Sequence, residues 1–185
     1  MRDIIFKRLT LLEKEKNTNS KLWNITWEQG VFLEGLIEIK KPKNILEIGT
    51  SNGFSTLWIV RGICDCDFEV DTIDVDSNRL EEAKKNFRLC KIDDKINCYC
   101  REVFEVLPEL KSKKYGFVFV DAAHKRYLEL IGEFVRLDLL EEDFTIVFDN
   151  VLSHRMNDFI DKMRDKYFCE VVDVGGGFLV LKSKI

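Results

Sequence analysis

The sequence predicts an α/β protein: a Rossmann-like, doubly wound and mostly parallel sheet with helices on both faces and a C-terminal antiparallel hairpin strand. Three observations carry this. Short apolar runs rich in Val, Ile and Phe alternate with stretches of helical periodicity, the pattern of crossover units. The runs are almost continuously apolar, as strands covered on both faces are. The chain then closes on two strand-like runs about Gly175-Gly176-Gly177, a hairpin signal. Of the 185 residues 45% are hydrophobic and 34% charged, a globular balance that argues against disorder. With two prolines, no linker-like stretch and no internal repeat, one domain over 1–185 is expected.

Each element has a local reason. Residues 1–16 place Ile4, Ile5, Leu9 and Leu12 at helical spacing, and Asn17-Thr18-Asn19-Ser20 breaks the pattern. Thr26-Trp27-Glu28-Gln29 reads as a capping box, Thr followed three residues later by Gln. The helix it opens should run to about Ile39 and stop before Pro42. Strands are expected at 44–48, 68–73, 96–100, 115–120 and 144–148, and helices at 54–63, 77–89, 103–110, 127–137 and 156–167. The hairpin should join 170–174 to 178–181 and add an antiparallel edge strand.

Composition excludes several classes. Twenty-nine bases against 33 acids leave a net charge of −4, so the chain carries no overall basic footprint for nucleic acid. Arg2, Lys7, Arg8, Lys14, Lys16 and Lys21 make the N-terminus locally basic, a pattern more often solvated surface than an RNA contact. No apolar stretch approaches the roughly 18 residues of a membrane span. The opening Met-Arg-Asp-Ile-Ile-Phe-Lys-Arg lacks a signal-peptide pattern, and a cytoplasmic protein is expected. Cys64 and Cys66, and Cys98 and Cys100, form Cys-x-Cys pairs, with Cys90 and Cys169 alone. Zinc sites favour two to four intervening residues, so free thiols are expected, in keeping with a reducing compartment.

Ligands of such sheets bind beyond the carboxyl ends of the strands. There the sequence places acids: Asp74 after the second strand, Glu102 after the third, Asp121 after the fourth, and Asp149 with Asn150 after the fifth. Gathered carboxylates repel one another, so this rim suits a cation, a polyol or a positively charged ligand. After the first strand, Gly49-Thr50-Ser51-Asn52-Gly53 admits three readings. As Gly-x-Ser-x-Gly it matches a hydrolase nucleophile elbow at Ser51, with Asp149 and His154 following in hydrolase order; yet it follows the first strand, and no oxyanion segment precedes it. As a dinucleotide loop it has Ser51 and Phe54 where glycines are needed. As a loop for S-adenosylmethionine (SAM) it needs no phosphate nest, because SAM carries a sulfonium and a zwitterionic amino acid. Asp74 could then accept both ribose hydroxyls, or be a simple turn acid.

The run Ile45-Leu46-Glu47-Ile48-Gly49-Thr50-Ser51-Asn52-Gly53-Phe54-Ser55-Thr56 resembles motif I of class I SAM-dependent methyltransferases. More narrowly, it resembles the cation-dependent O-methyltransferases, the catechol and caffeoyl-CoA group. Asp71-Thr72-Ile73-Asp74-Val75-Asp76, Glu105-Val106-Leu107-Pro108, Phe117-Val118-Phe119-Val120-Asp121-Ala122-Ala123 and Thr145-Ile146-Val147-Phe148-Asp149-Asn150-Val151 fall in register, so the resemblance covers roughly 24–182. It implies that Glu47, Gly49, Ser51, Gly53 and Ser55 line the methionine end of SAM, that Asp74 holds the ribose and that Glu102 lies beside the adenine. Asp121 would border the cofactor and join Asp149 and Asn150 in holding Mg²⁺ or another divalent cation, a hard-oxygen set. The N-terminal helices, residues 1–40, would pack over the cofactor and acceptor side. A homodimer is compatible with the resemblance.

The sequence departs from that group at one position. A lysine usually stands three residues after the first metal Asp; here His124 stands there, followed by Lys125. His124 reads either as the base that takes the acceptor's proton, with Asp121 beside it, or as a structural or acceptor-contact residue. His154 reads as an acceptor-pocket residue or a simple helix-start residue. Trp23 and Trp27 read as acceptor walls or as packing of the N-terminal helices. The expected activity is O-methyl transfer to a small hydroxylated, catechol-like acceptor. A hydroxylated tRNA base is a second acceptor class, and a SAM-binding protein without catalysis a third reading.

Overall fold

The structure, a computed structural model, describes residues 1–18, 24–122 and 124–184. Two helices lead, α1 (Arg2–Thr18) and α2 (Trp27–Lys40). Strands and helices then alternate: β1 (Asn44–Ile48), α3 (Phe54–Ile63), β2 (Glu69–Asp74), α4 (Ser77–Cys90), β3 (Ile96–Cys100), α5 (Val103–Val106), β4 (Tyr115–Val120), α6 (Tyr127–Arg136), β5 (Leu140–Phe148) and α7 (Asn157–Arg164). The hairpin β6 (Phe168–Val172) and β7 (Phe178–Lys182) closes the series. Among the described residues the sheet runs β3-β2-β1-β4-β5-β7-β6. The first five strands are parallel, and β7 is antiparallel to both its neighbours. The order reverses between β1 and β4, and the crevice beyond their carboxyl ends is where such sheets bind ligands.

Two apolar layers cover the sheet. On one face Ile5, Leu9, Leu33, Leu57, Trp58 and Phe87 bring α1 to α4 together; on the other Leu107, Tyr127, Phe134, Phe159 and Met163 seat α5, α6 and α7. The capping box at α2 is present with both reciprocal bonds, and Lys41 ends that helix in the left-handed conformation. The fold class is the one expected; several details differ, among them the earlier starts of β5 at Leu140 and β6 at Phe168. The 103–110 helix becomes α5 followed by a tight 3₁₀ turn over Leu107–Leu110, because Pro108 has no N–H to continue the ladder. The 156–167 helix is shorter, Asn157–Arg164.

The hairpin also enters the sheet by its second strand, so β6 and not the antiparallel strand forms the edge. Burial explains the order. Phe178, Leu179, Val180 and Leu181 are all buried and suit an interior strand, whereas β6 leaves Phe168 and Glu170 in solvent. No described helix is long and apolar enough to cross a membrane. All six cysteines are free thiols.

Candidate active site at the carboxyl ends of β1, β4 and β5

Four strand ends, those of β2, β1, β4 and β5, are tied side by side just past the sheet. Gly49 N–H donates to Ile73 C=O, Asp121 N–H to Ile48 C=O, and Asp149 N–H to Val120 C=O, each at 2.9 Å. This brings Gly49, Asp121 and Asp149 together from distant parts of the sequence. Gly49 has φ +101°, and a Cβ there would lie 2.6 Å from the Asp121 carbonyl oxygen. Only glycine lets the loop pass this close to β4. The loop turns back through Ser51 at φ +46° and Gly53 at φ +82° into α3. Ser51 N–H donates to Asp74 Oδ2 at 2.7 Å and Asp76 N–H to Asp74 Oδ1 at 2.9 Å, so Asp74 braces the loop from β2.

Glu47 lies behind the loop, fully buried. Ser55 Oγ donates to its Oε1 at 2.7 Å, while Thr56 and Thr72 hydroxyls donate to Oε2 at 2.6 Å. Burial pushes its carboxyl up to about 7, and the hydroxyls of Thr56, Thr72 and Ser55 restrain the rise. In front of the loop, Asn24 and Ile25, from the segment entering α2, close a narrow cleft with Gly49, Ser51, Ser55 and Asp121 that leaves about 10 Å³ of free volume. Both polar atoms of the Asn24 amide are buried there without a hydrogen-bond partner among the described residues.

The second half of the site is acidic. Asn150 Nδ2 donates to Asp121 Oδ1 at 3.0 Å, and Asn150 N–H to Asp149 Oδ1 at 2.6 Å. Gln29 Nε2, from α2, donates to the same Asp149 oxygen at 2.7 Å while its Oε1 completes the capping box with Thr26 N–H. Tyr127 O–H donates to Asp149 C=O at 3.0 Å. Burial, then the charges of Asp149 and Glu47, hold the Asp121 carboxyl well above the usual range. Asp149 is raised too, by burial, against the restraint of Asn150 N–H and the Gln29 amide. Gly176 packs against the Asn150 amide, where any side chain would collide.

Among the described residues no three His, Cys, Asp or Glu side chains assemble into a metal-holding group. The available donors are two carboxylates and the Asn150 amide. Two neighbouring acids, Asp149 buried and Asp121 half-buried, both raised above the usual carboxylate range, are an arrangement that a cation would relieve, and the all-oxygen set suits a hard divalent ion.

His124 and His154 meet at the edge of this cluster, their rings stacked with centroids 3.8 Å apart and planes 9° from parallel. Burial, His154 and Lys125 lower the His124 pKa. Among the described residues no hydrogen bond joins Ser51 Oγ to either histidine. Glu102 is exposed at the start of α5 and makes no cap bond. Trp27 packs edge-on against Trp58 and Phe6, whose ring centroids lie 4.8 and 5.8 Å away, where α2 meets α3 and α1. Trp23, Lys21 and Ala123 lie outside the described residues.

Sequence reasoning missed three of these residues. Gln29 was legible as a cap, but nothing local says that its amide also reaches residue 149. Asn24 and Tyr127 carried no signal beyond their neighbourhood of a cap and a helix start.

The O-methyltransferase family profile matches residues 4–173. The chain belongs to the O-methyltransferase family. Within it, the chain is 30% identical over 128 residues to a catechol O-methyltransferase of Mycobacterium tuberculosis, 69% of this chain and 57% of that protein. It is 29% identical over 132 residues to one of Niastella koreensis, 70% of this chain and 58% of the relative. The chain thus matches little more than half the length of these relatives. In fold it is similar to an O-methyltransferase of Bacillus cereus solved with S-adenosylhomocysteine (SAH), at 19% identity and a TM-score of 0.77 over 97% of this chain and 90% of that one. An O-methyltransferase of Streptomyces achromogenes solved with SAM matches at 20% identity and a TM-score of 0.79, over 96% and 90%. In this member of the O-methyltransferase family the glycine loop follows β1, and the acidic residues follow β4 and β5, the next strands in the sheet.

Proposed function

We propose that the chain transfers the methyl group of SAM to a hydroxyl oxygen of a small, catechol-like acceptor, with a divalent cation held by Asp121, Asp149 and Asn150. The observation that carries this reading is the contact of the glycine loop with the acidic cluster: the Asp121 backbone touches Gly49 while its side chain meets Asn150. A cofactor on the loop and an acceptor at the cluster would be neighbours, which in-line displacement requires. Gly49, Ser51, Gly53, Ser55 and the unpartnered Asn24 amide face the amino-acid end of SAM, with Glu47 supporting the loop from behind. Asp74 serves the ribose and Glu102 the adenine side.

The free volume at the loop is far below the roughly 300–1,000 Å³ of ligand pockets. Cofactor entry therefore needs Asn24 and Ile25 to draw back. Bound on the loop, SAM would supply its methyl group to the acceptor oxygen, and the hydroxyl proton would pass to a base. His124, beside the cluster, fits that role, with His154 stacked on it to hold the ring. When bound, the cation lowers the pKa of the acceptor hydroxyl.

Calorimetric titration of SAH, followed by labelled-methyl transfer from SAM to a dihydroxybenzene with and without Mg²⁺, tests the reading. One-to-one SAH binding and Mg²⁺-dependent labelling are expected. Absence of saturable SAH binding at millimolar concentration overturns it.

A further inference from the structure

A line of hydrogen bonds runs from the first helix into the back of the glycine loop. Asn86, on α4, is 2% exposed and uses both ends of its amide. Its Nδ2 donates to Asn52 C=O at 2.8 Å, and its Oδ1 accepts from Arg8 Nε, on α1, at 2.8 Å. Asn52 C=O belongs to the peptide that leads into Gly53, whose N–H donates to Thr50 C=O at 2.8 Å. Both polar groups of that peptide are thereby held, and with them the left-handed Gly53 that starts α3.

Chemistry explains why Arg8 matters to a loop it does not touch. The two ends of an asparagine amide are nearly equal in shape, so the ring of neighbours must decide which faces which way. A guanidinium can only donate, so Oδ1 must face Arg8 and the amide N–H must face the Asn52 carbonyl. Without that choice the amide could turn its oxygen to the buried carbonyl and leave it without a donor.

We infer that Asn86 and Arg8 are positioning residues for the cofactor loop, and that docking of α1 tunes affinity for the amino-acid end of the cofactor. This rests on the proposed SAM site at Gly49–Gly53. The loop is braced from two sides: Asp74 holds Ser51 N–H from the rim, and Asn86 holds Asn52 C=O from the core.

The test compares two ligands by calorimetry: SAH, which has the amino-acid end, and 5′-methylthioadenosine, which lacks it. In Asn86→Leu and in Asn86→Asp, which keeps the acceptor for Arg8 but loses the donor to Asn52, SAH should bind about tenfold more weakly, a loss on the scale of one buried hydrogen bond. Methylthioadenosine should bind as before. Arg8→Met should weaken SAH several-fold, and Arg8→Lys, which also only donates, should restore it. If Asn86→Leu does not fold, the Arg8 pair decides the question. SAH affinity unchanged in the folded variants, or both ligands weakened in parallel, overturns the inference. Binding of neither ligand by the unsubstituted chain overturns the cofactor site itself, and the inference with it.

Discussion

Gly49→Ala should damage this protein far more than a methyl group suggests. The new Cβ would lie 2.6 Å from the Asp121 carbonyl oxygen, which is backbone tied to β4 and cannot rotate away. The residue would also have to hold φ +101°, where L side chains are strained. Such strain costs about 1–3 kcal/mol, and forcing an extra methyl into a packed site costs about 1–3 kcal/mol more. A loss of about 4 kcal/mol corresponds to roughly 8–16 °C in Tm for a chain of this size. Because relief can come only from separating the β1 loop from β4, SAH affinity should fall with stability. The control is Gly132→Ala on α6, where a Cβ meets nothing within 4 Å. There alanine should stabilise the helix by about 0.5–1 kcal/mol. Urea denaturation and SAH titration of both variants make the comparison. Equal stability of Gly49→Ala and the unsubstituted chain, with unchanged SAH binding, would refute the close approach and the reasoning built on it.

Other outcomes follow from the same geometry. Glu47 is raised on folding to about 7, so the folded state keeps a proton that the unfolded state releases above about 4.5, and stability should fall as pH rises through that window. The drop attributable to it is roughly 3 kcal/mol; Glu47→Gln should flatten the pH profile by about that amount in denaturation curves from pH 4.5 to 8, and an identical profile contradicts the assignment. Mg²⁺ added to chelator-treated protein should raise Tm at pH 7, and Asp121→Asn should abolish the rise; no shift in the unsubstituted protein sinks the metal site. Asn24→Ala removes a buried amide without a partner, so Tm should hold or rise while SAH affinity falls about tenfold. A fall in both, or unaltered affinity, argues against Asn24 as a ligand.

Much of this molecule is legible in its sequence. The alternation of apolar runs with helical periods named the parallel sheet, because a strand covered on both faces has no polar side to spare. The box at Thr26 and Gln29 marked the start of α2, since free helix-start amides need local acceptors. Asp74, Asp121, Asp149 and Asn150 each follow a strand, and parallel strands deliver their ends to one rim. These are local rules, and local rules can be read from neighbours in the chain.

Other features depended on packing across the sequence. Nothing near Gln29 announces its bond to Asp149, and the stacking of His124 on His154 needs the loops after β4 and β5 to converge. Each hydrogen bond of the Arg8–Asn86–Asn52 line joins residues far apart in the chain. The hairpin's order in the sheet was likewise decided by burial, with β7, apolar and buried from Phe178 to Leu181, taking the interior and β6 the edge. The sequence by itself determined which residues could make strands, caps and acids at strand ends, because propensity and periodicity act over a few residues. Tertiary structure alone decided which of those acids meet, which oxygen each donor reaches and how closely two backbones pass, because these depend on distances between segments that the chain order does not contain.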